Sequence, residues 1–152
     1  MLSTFLQERV TNFKILAHQE GKKIELILHA SRYTITTQKT LLIHILQNFV
    51  QNAIKFSPKN STITIHASEL PTEFLITVED EGVGIDESKD LFAPFKRYGD
   101  KGGTGLGLFL AKGAADALGA TIRIANRTDR QGTLASLSLP KTSLKAHKKR
   151  LL

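Results

Sequence analysis

The spacing of apolar residues changes period several times along the chain, and each change marks an element. Phe5, Leu6, Val10, Phe13, Leu16 and Ala17 recur near helical spacing and predict a helix over 4–17, with Ser3 or Thr4 as its N-cap and Gly21 as its end. Lys23–Leu28 and Arg32–Thr36 read as short strands on either side of His29-Ala30-Ser31. Thr37 is placed to cap a long helix through residue 56. Its broad apolar face carries Leu41, Leu42, Ile45, Leu46, Phe49, Val50, Ala53 and Ile54. Ser57-Pro58-Lys59-Asn60 is turn chemistry. Thr62–Ser68 then alternates, with Ile63 and Ile65 on one face, and Phe74–Val78 pairs with it across Leu70-Pro71-Thr72. Residues 80–105 are glycine-rich and irregular, and a helix follows over 106–118. Ala120–Ala125 and Thr133–Leu139 form a hairpin through Asp129–Gly132. This order predicts an α+β fold: helices on one face of a mixed, mostly antiparallel sheet.

Composition narrows the class. The chain has 152 residues, enough for one domain with a substantial core, and 41% apolar with 23% charged residues is a globular balance. No apolar run approaches the roughly 20 residues that span a bilayer. The first residues lack the basic region and apolar core of a signal peptide, so a cytoplasmic location is expected. The absence of cysteine excludes disulfides and thiolate metal sites. The net charge of +7 suggests a polyanionic partner until its distribution is considered. Five basic residues (Lys141, Lys145, Lys148, Lys149, Arg150) sit in a tail without acids, which leaves 16 basic against 14 acidic residues elsewhere. That tail has no interleaved aromatics to stack bases, so it reads as solvated chain and no nucleic-acid partner is expected.

Four segments carry candidate chemistry. On the long helix Asn48 and Asn52 are one turn apart and share a face, with Lys55 close to it. Amide oxygens and a lysine suit Mg²⁺ and phosphate, although the triplet taken alone reads more readily as a solvated helix face. Glu79-Asp80-Glu81-Gly82-Val83-Gly84-Ile85 follows an apolar strand. Its glycines permit a sharp turn or a close ligand, and the Asp80 carboxylate can accept a hydrogen bond from an exocyclic amine; an acidic surface turn accounts for the segment equally well. Leu91-Phe92-Ala93-Pro94-Phe95-Lys96-Arg97 offers two phenylalanine anchors and one guanidinium suited to a phosphoryl group. Lys101-Gly102-Gly103-Thr104-Gly105-Leu106-Gly107-Leu108 leads into a helix, where successive N–H groups can hold an anion. It matches neither GxxxxGK[ST] nor GxGxxG.

Each segment alone is weak, but their order and spacing are specific. Asn-x-x-x-Asn-Ala-x-Lys, then Asp-x-Gly-x-Gly-Ile, then Phe-x-Pro-Phe-x-Arg, then Gly-Thr-Gly-Leu-Gly-Leu resembles the catalytic domain of sensor histidine kinases. That family belongs to a superfamily with DNA gyrase, heat-shock chaperone ATPases and MutL ATPases. The resemblance covers about residues 22–140, with 1–21 as a helix leading in and 141–152 as the basic tail. It implies a two-layer α/β sandwich whose mixed sheet is backed by about three helices. It also implies ATP and Mg²⁺ as ligands. By the resemblance Asn52 coordinates the metal with Asn48 beside it, Lys55 contacts phosphate, and Phe56 flanks the adenine. Asp80 reads the adenine amine in a pocket shaped by Gly82, Gly84 and Ile85. Arg97 approaches the γ-phosphate. Gly103, Thr104, Gly105, Leu106, Gly107 and Leu108 supply the hinge and backbone donors of an ATP lid, and Gly132-Thr133 lies near the adenine. Asn48, Lys55 and Arg97 are the candidate catalytic residues.

The departures matter too. Only Tyr98, Gly99, Asp100 and Lys101 separate Arg97 from Gly102, so the lid is short and modest affinity with fast exchange is expected. Gln38 stands where an aspartate often opens the long helix, a small loss if Thr37 caps instead. Glu81 and Val83 replace the usual Asn and Pro. The superfamily's ATPases carry a water-activating glutamate where this chain has Asn48, a poor base, so transfer to a protein is favoured over hydrolysis. The acceptor pattern His-Glu/Asp-x-x-x-Pro is absent: of His18, His29, His44, His66 and His147 only His66 has a proline five positions on, Pro71, and Ala67 stands where that pattern has its acid. The expectation is a domain that donates to a histidine on a separate dimerisation and phosphoacceptor segment, the whole kinase signalling to a response regulator. The isolated domain would then be a monomer, and the full-length kinase a homodimer at the inner membrane. A serine kinase of the anti-sigma type and a nucleotide-binding module without turnover are the alternatives.

Overall fold

The computed structural model describes residues 2–29, 37–93 and 106–141. Its elements are α1 (Leu2–Gln19), β1 (Lys23–Leu28), α2 (Lys39–Phe56), β2 (Thr62–Glu69), β3 (Glu73–Glu79), α3 (Gly107–Leu118), β4 (Thr121–Asn126) and β5 (Thr133–Pro140). The strands form one sheet in the order β1-β2-β3-β5-β4. β1 and β2 run parallel because α2 carries the chain back over the sheet between them, and the other neighbours are antiparallel. The expected α+β sandwich with a mixed sheet is therefore the observed one.

The core lies between the sheet and the helices. Leu42, Ile45, Leu46, Phe49, Val50, Ala53 and Ile54 of α2 are buried in steps of three and one, the period of a helix with one face on a core. Every second residue of the central strands meets that face. The register aligns Ile65 with Val78 and Ala67 with Ile76, then Ile76 with Leu137 and Val78 with Ala135. All of these are buried, so a slip of one residue would turn polar side chains such as Thr77 and Ser136 inward. α1 packs on β1, α2 on α3 and β3, and α3 on β4.

The helix starts differ from the expectation in two places. α1 already includes Ser3 and Thr4, so neither is its N-cap; the first amides of a surface helix can be satisfied by water instead. The N-cap of α2 is Gln38, in extended conformation and without a side-chain cap bond, so the cap expected of Thr37 is not formed. A glutamine side chain is too long to fold back onto the N2 or N3 amide as Asp or Ser does. Leu16, counted among the apolar positions at helical spacing, is 41% exposed beside Ile15, while Leu6, Val10, Phe13 and Ala17 form the buried stripe. The strand expected at Arg32–Thr36 lies outside the described residues, as does the tail beyond Lys141.

Candidate functional site

The topology places two chain segments at one end of the sheet. β3 and β5 are antiparallel neighbours, so the end of β3 meets the start of β5. Asp80, the residue after β3, donates its N–H to the carbonyl of Thr133 at 3.0 Å. In return the Asp80 carboxylate accepts the Thr133 N–H at 3.1 Å and the Gly82 N–H at 2.9 Å, both on Oδ1. Asp80 is 6% exposed. Burial raises its pKa above the ordinary carboxylate value, opposed by the two N–H donors and by the nearby Arg127 guanidinium.

This carboxylate lines a cavity of about 410 Å³, within the range of small-molecule sites. α2 contributes Phe49, Asn52, Ala53 and Phe56, and the sheet contributes Val78, Ile124, Thr133 and Ala135. The loop after β3 adds Val83, Gly84, Ile85, Asp86, Lys89 and Leu91, and α3 adds Leu108. The walls are mostly apolar with a few polar groups, an arrangement suited to a flat, partly polar ring. Among the described lining residues Lys89 is the one cation.

The glycines of the loop answer to close approach. A Cβ on Gly82 would lie 2.6 Å from the carbonyl oxygen of Phe56, so only glycine lets the loop rest on the end of α2. Gly84 has φ +89°, and a Cβ there would lie 2.4 Å from Oδ1 of Asn126. Beyond Ile85 the chain is held by its own side chains. Ser88 N–H donates to Asp86 at 3.0 Å, and Phe92 N–H to Asp90 at 3.1 Å. These turns seat Leu91 in the core and Lys89 at the cavity. The Ser88 hydroxyl and N–H hold the exposed Asp86 carboxyl below its usual pKa.

Asn52, Phe56, Asp80, Gly84, Ile85, Leu108 and Thr133 thus converge on one cavity. Asn48 does not line it. Its Nδ2 donates to the carbonyl of His44 at 2.9 Å, and its Oδ1 faces the start of α3, where a Cβ on Gly107 would lie 2.6 Å away. The Lys55 ammonium sits 5.4 Å from the Phe56 ring centroid, and Lys55 lines a groove beside α1 rather than the cavity. Leu106 occupies the N-cap position of α3 and accepts the N–H of Leu110 at 2.9 Å. Arg97, Gly103, Thr104 and Gly105 lie outside the described residues. Sequence reasoning missed Lys89, Asp86, Asn126 and Arg127. The signal available was slight: an Asn-Arg pair directly between a strand and a turn.

The family model described as "Histidine kinase-, DNA gyrase B-, and HSP90-like ATPase" matches residues 37–143. The chain is 40% identical over 115 residues to the sensor protein BasS of Salmonella typhimurium, an alignment covering 74% of this chain and 32% of BasS. It therefore spans about a third of that relative's length. The nucleotide-free catalytic domain of histidine kinase ThkA superposes with a TM-score of 0.81 at 25% identity, covering 92% of this chain and 94% of that one. Full-length ShkA in complex with AMPPNP shares the fold, with a TM-score of 0.80 at 24% identity over 92% of this chain and 30% of that one.

Proposed function

The chain belongs to the histidine kinase-, DNA gyrase B- and HSP90-like ATPase family, as an ATP-binding catalytic domain of the sensor histidine kinase type, and we propose that its cavity seats the adenine of ATP for phosphoryl transfer to a histidine. The observation that carries the reading is Asp80. Two N–H groups fix its Oδ1, which leaves Oδ2 to accept from an exocyclic amine at the floor of an apolar slot. Phe56 and Ile85 stand among the apolar side chains that meet the ring faces. Asn52, on the same wall of α2, is where the phosphates leave the slot.

The donor set fits Mg²⁺ bound largely through substrate. Among the described residues no three His, Cys, Asp or Glu side chains cluster as metal ligands. An oxygen-seeking cation here would take the Asn52 amide oxygen together with phosphate oxygens and water. When bound, Mg²⁺ supplies charge neutralisation at the phosphate oxygens. The chain's own part is to bind and orient. Asp80 fixes the base, Asn52 the triphosphate, and Arg97 and Lys55 are the cations assigned to the transferring group. Asn48 is bound to His44 and packed against α3, and an amide is no base for activating water, which favours a protein acceptor over hydrolysis. The acceptor is a histidine outside this chain's own sequence pattern, on a dimerisation and phosphoacceptor segment of the same or a partner protein. The onward partner is a response regulator, and the parent kinase is a membrane sensor with this domain on the cytoplasmic side. No helix among the described residues is long and apolar enough to cross a membrane.

The test is titration with ATP and Mg²⁺, followed by incubation with labelled ATP and a phosphoacceptor segment. Saturable binding and an acid-labile phosphoprotein are expected. Failure to bind at millimolar nucleotide overturns the reading, and an acid-stable product replaces it with a serine kinase.

A further inference from the structure

The loop that carries Asp80 has little regular structure of its own. Residues 80–85 form neither helix nor strand and include two glycines. Left to itself such a segment samples many conformations, and a ligand that needs one of them binds weakly. The β4–β5 hairpin removes that freedom at two points.

The first point is Arg127. Its Nη1 donates to the backbone carbonyl of Asp80 at 3.1 Å. The guanidinium is itself gripped by Asp129, with Nε to Oδ1 at 3.0 Å and Nη2 to Oδ2 at 2.9 Å, and lies 3.3 Å from the Glu79 carboxylate. The side chain is only 9% exposed. The hairpin backbone closes on the same spot: a Cβ on Gly132 would lie 2.0 Å from the Asp80 carbonyl oxygen and 2.8 Å from Cδ of Arg127. A planar fork can grip one carboxylate and still donate to a carbonyl, which an ammonium does less well. The second point is Asn126, whose single amide satisfies both backbone groups of Ile85. It accepts the Ile85 N–H at 2.7 Å and donates to the Ile85 carbonyl at 3.0 Å. Neither residue lines the cavity, so any influence on a ligand runs through Asp80 and Ile85.

We propose that Asn126 and Arg127 are positioning residues that clamp the two ends of the 80–85 loop in its base-reading shape, Arg127 by aiming the Asp80 carboxylate and Asn126 by fixing Ile85. The proposal rests on the assignment of adenine to this cavity. The clamp sits on a different hairpin from the loop it holds, so base recognition depends on the β3–β5 pairing and on the hairpin turn.

The experiment compares dissociation constants for ATP and for purine riboside triphosphate, which lacks the exocyclic amine, each with Mg²⁺. The proteins are the unaltered chain, Arg127→Lys, Arg127→Ala and Asn126→Ala. The unaltered chain is expected to prefer ATP by about tenfold or more, the worth of one hydrogen bond to a charged group. Arg127→Ala is expected to lose most of that preference: ATP binding weakens about tenfold while analogue binding moves less than about twofold. Arg127→Lys should fall between, since it keeps the charge and loses the fork, and Asn126→Ala should shift the ratio the same way by less. If Arg127→Ala does not fold, Arg127→Lys and Asn126→Ala carry the test. Equal weakening for both nucleotides, or full retention of the preference in these variants, overturns the clamp. No preference in the unaltered chain overturns the adenine assignment and the clamp with it.

Discussion

At one end of the cavity Asp80 is 6% exposed and takes N–H groups from Gly82 and from Thr133, 53 positions away. Along α2 nothing comparable converges. Asn52 lines the cavity, Asn48 bonds to the carbonyl one turn before it, and Lys55 lies near the Phe56 ring. The first region is assembled from two separate segments and made rigid by hydrogen bonds within and between them. The second is a set of single side chains on one helix. A base is a small, rigid, nearly neutral object, so its recognition needs shape and one aimed acceptor held in advance. A triphosphate brings its own charge and its own metal ligands, and a few well-placed polar groups orient it.

The largest effect that tests this contrast is on the helix. Asn52→Ala is expected to cut phosphoryl transfer by about 10²-fold or more, by loss of the amide proposed to ligate Mg²⁺, while leaving the melting temperature of the nucleotide-free domain nearly unchanged. Unaltered transfer rates measured with saturating ATP and acceptor would remove Asn52 from the metal's coordination.

At the base end Asp80→Asn keeps an oxygen for the Gly82 and Thr133 amides but presents an N–H₂ to the incoming amine. ATP affinity should drop about 10- to 100-fold, read by calorimetry. Stability should move the other way. Because burial raises the folded-state pKa of Asp80 above its unfolded value, the folded chain holds the extra proton between the two values. The stability this residue contributes is full below the unfolded pKa and is lost as pH rises through the folded one. At neutral pH the ionised Asp80 therefore costs stability, and the asparagine variant should melt at an equal or higher temperature. A clear fall in melting temperature would show that the carboxylate holds the loop together and does not only read the base.

The same shift makes a pH prediction for the unaltered chain. In the proposed reading the ionised form is the acceptor, so ATP affinity should weaken on acidification at a pH above the range of an ordinary aspartate, in step with the raised Asp80 value. Asp80→Asn should lose that acid limb. A limb that persists in the variant belongs to another group.

The smallest effect serves as a control on both ends. Gln38 occupies the N-cap of α2 with no side-chain cap bond. Gln38→Asp should add about 0.5–1 kcal/mol of stability, seen as a higher denaturant midpoint. ATP affinity and transfer should both stay as they were. A change in either would mean that the start of α2 is coupled to the site at its other end.

Much of this was legible in the chain itself, and unevenly so between the two regions. The phosphate-end residues sit on one helix, and a 3.6-residue period places Asn48 and Asn52 on a common face without any tertiary information. Sequence could not tell that Asn48 turns toward Gly107, because that depends on where α3 docks. The base end was legible in local pattern as a strand followed by Asp-x-Gly-x-Gly, and by the resemblance as Phe56 and Gly132-Thr133 beside it. Its other half, Thr133 with Asn126 and Arg127, belongs to a hairpin whose place in the sheet no local pattern specifies.

What the sequence determined by itself was the set of elements among the described residues, their type and most of their limits, together with the four boxes that carry the family resemblance. Those features are encoded over a few residues: the period of apolar positions, the glycines and prolines of turns, the spacing within a motif. The tertiary structure alone decided that β1 and β2 run parallel, that β5 rather than β4 lies beside β3, and that Arg127 and Asn126 hold the loop bearing Asp80. Strand order and the approach of distant backbones follow from which surfaces are buried together, a property of the packed whole that no short window contains.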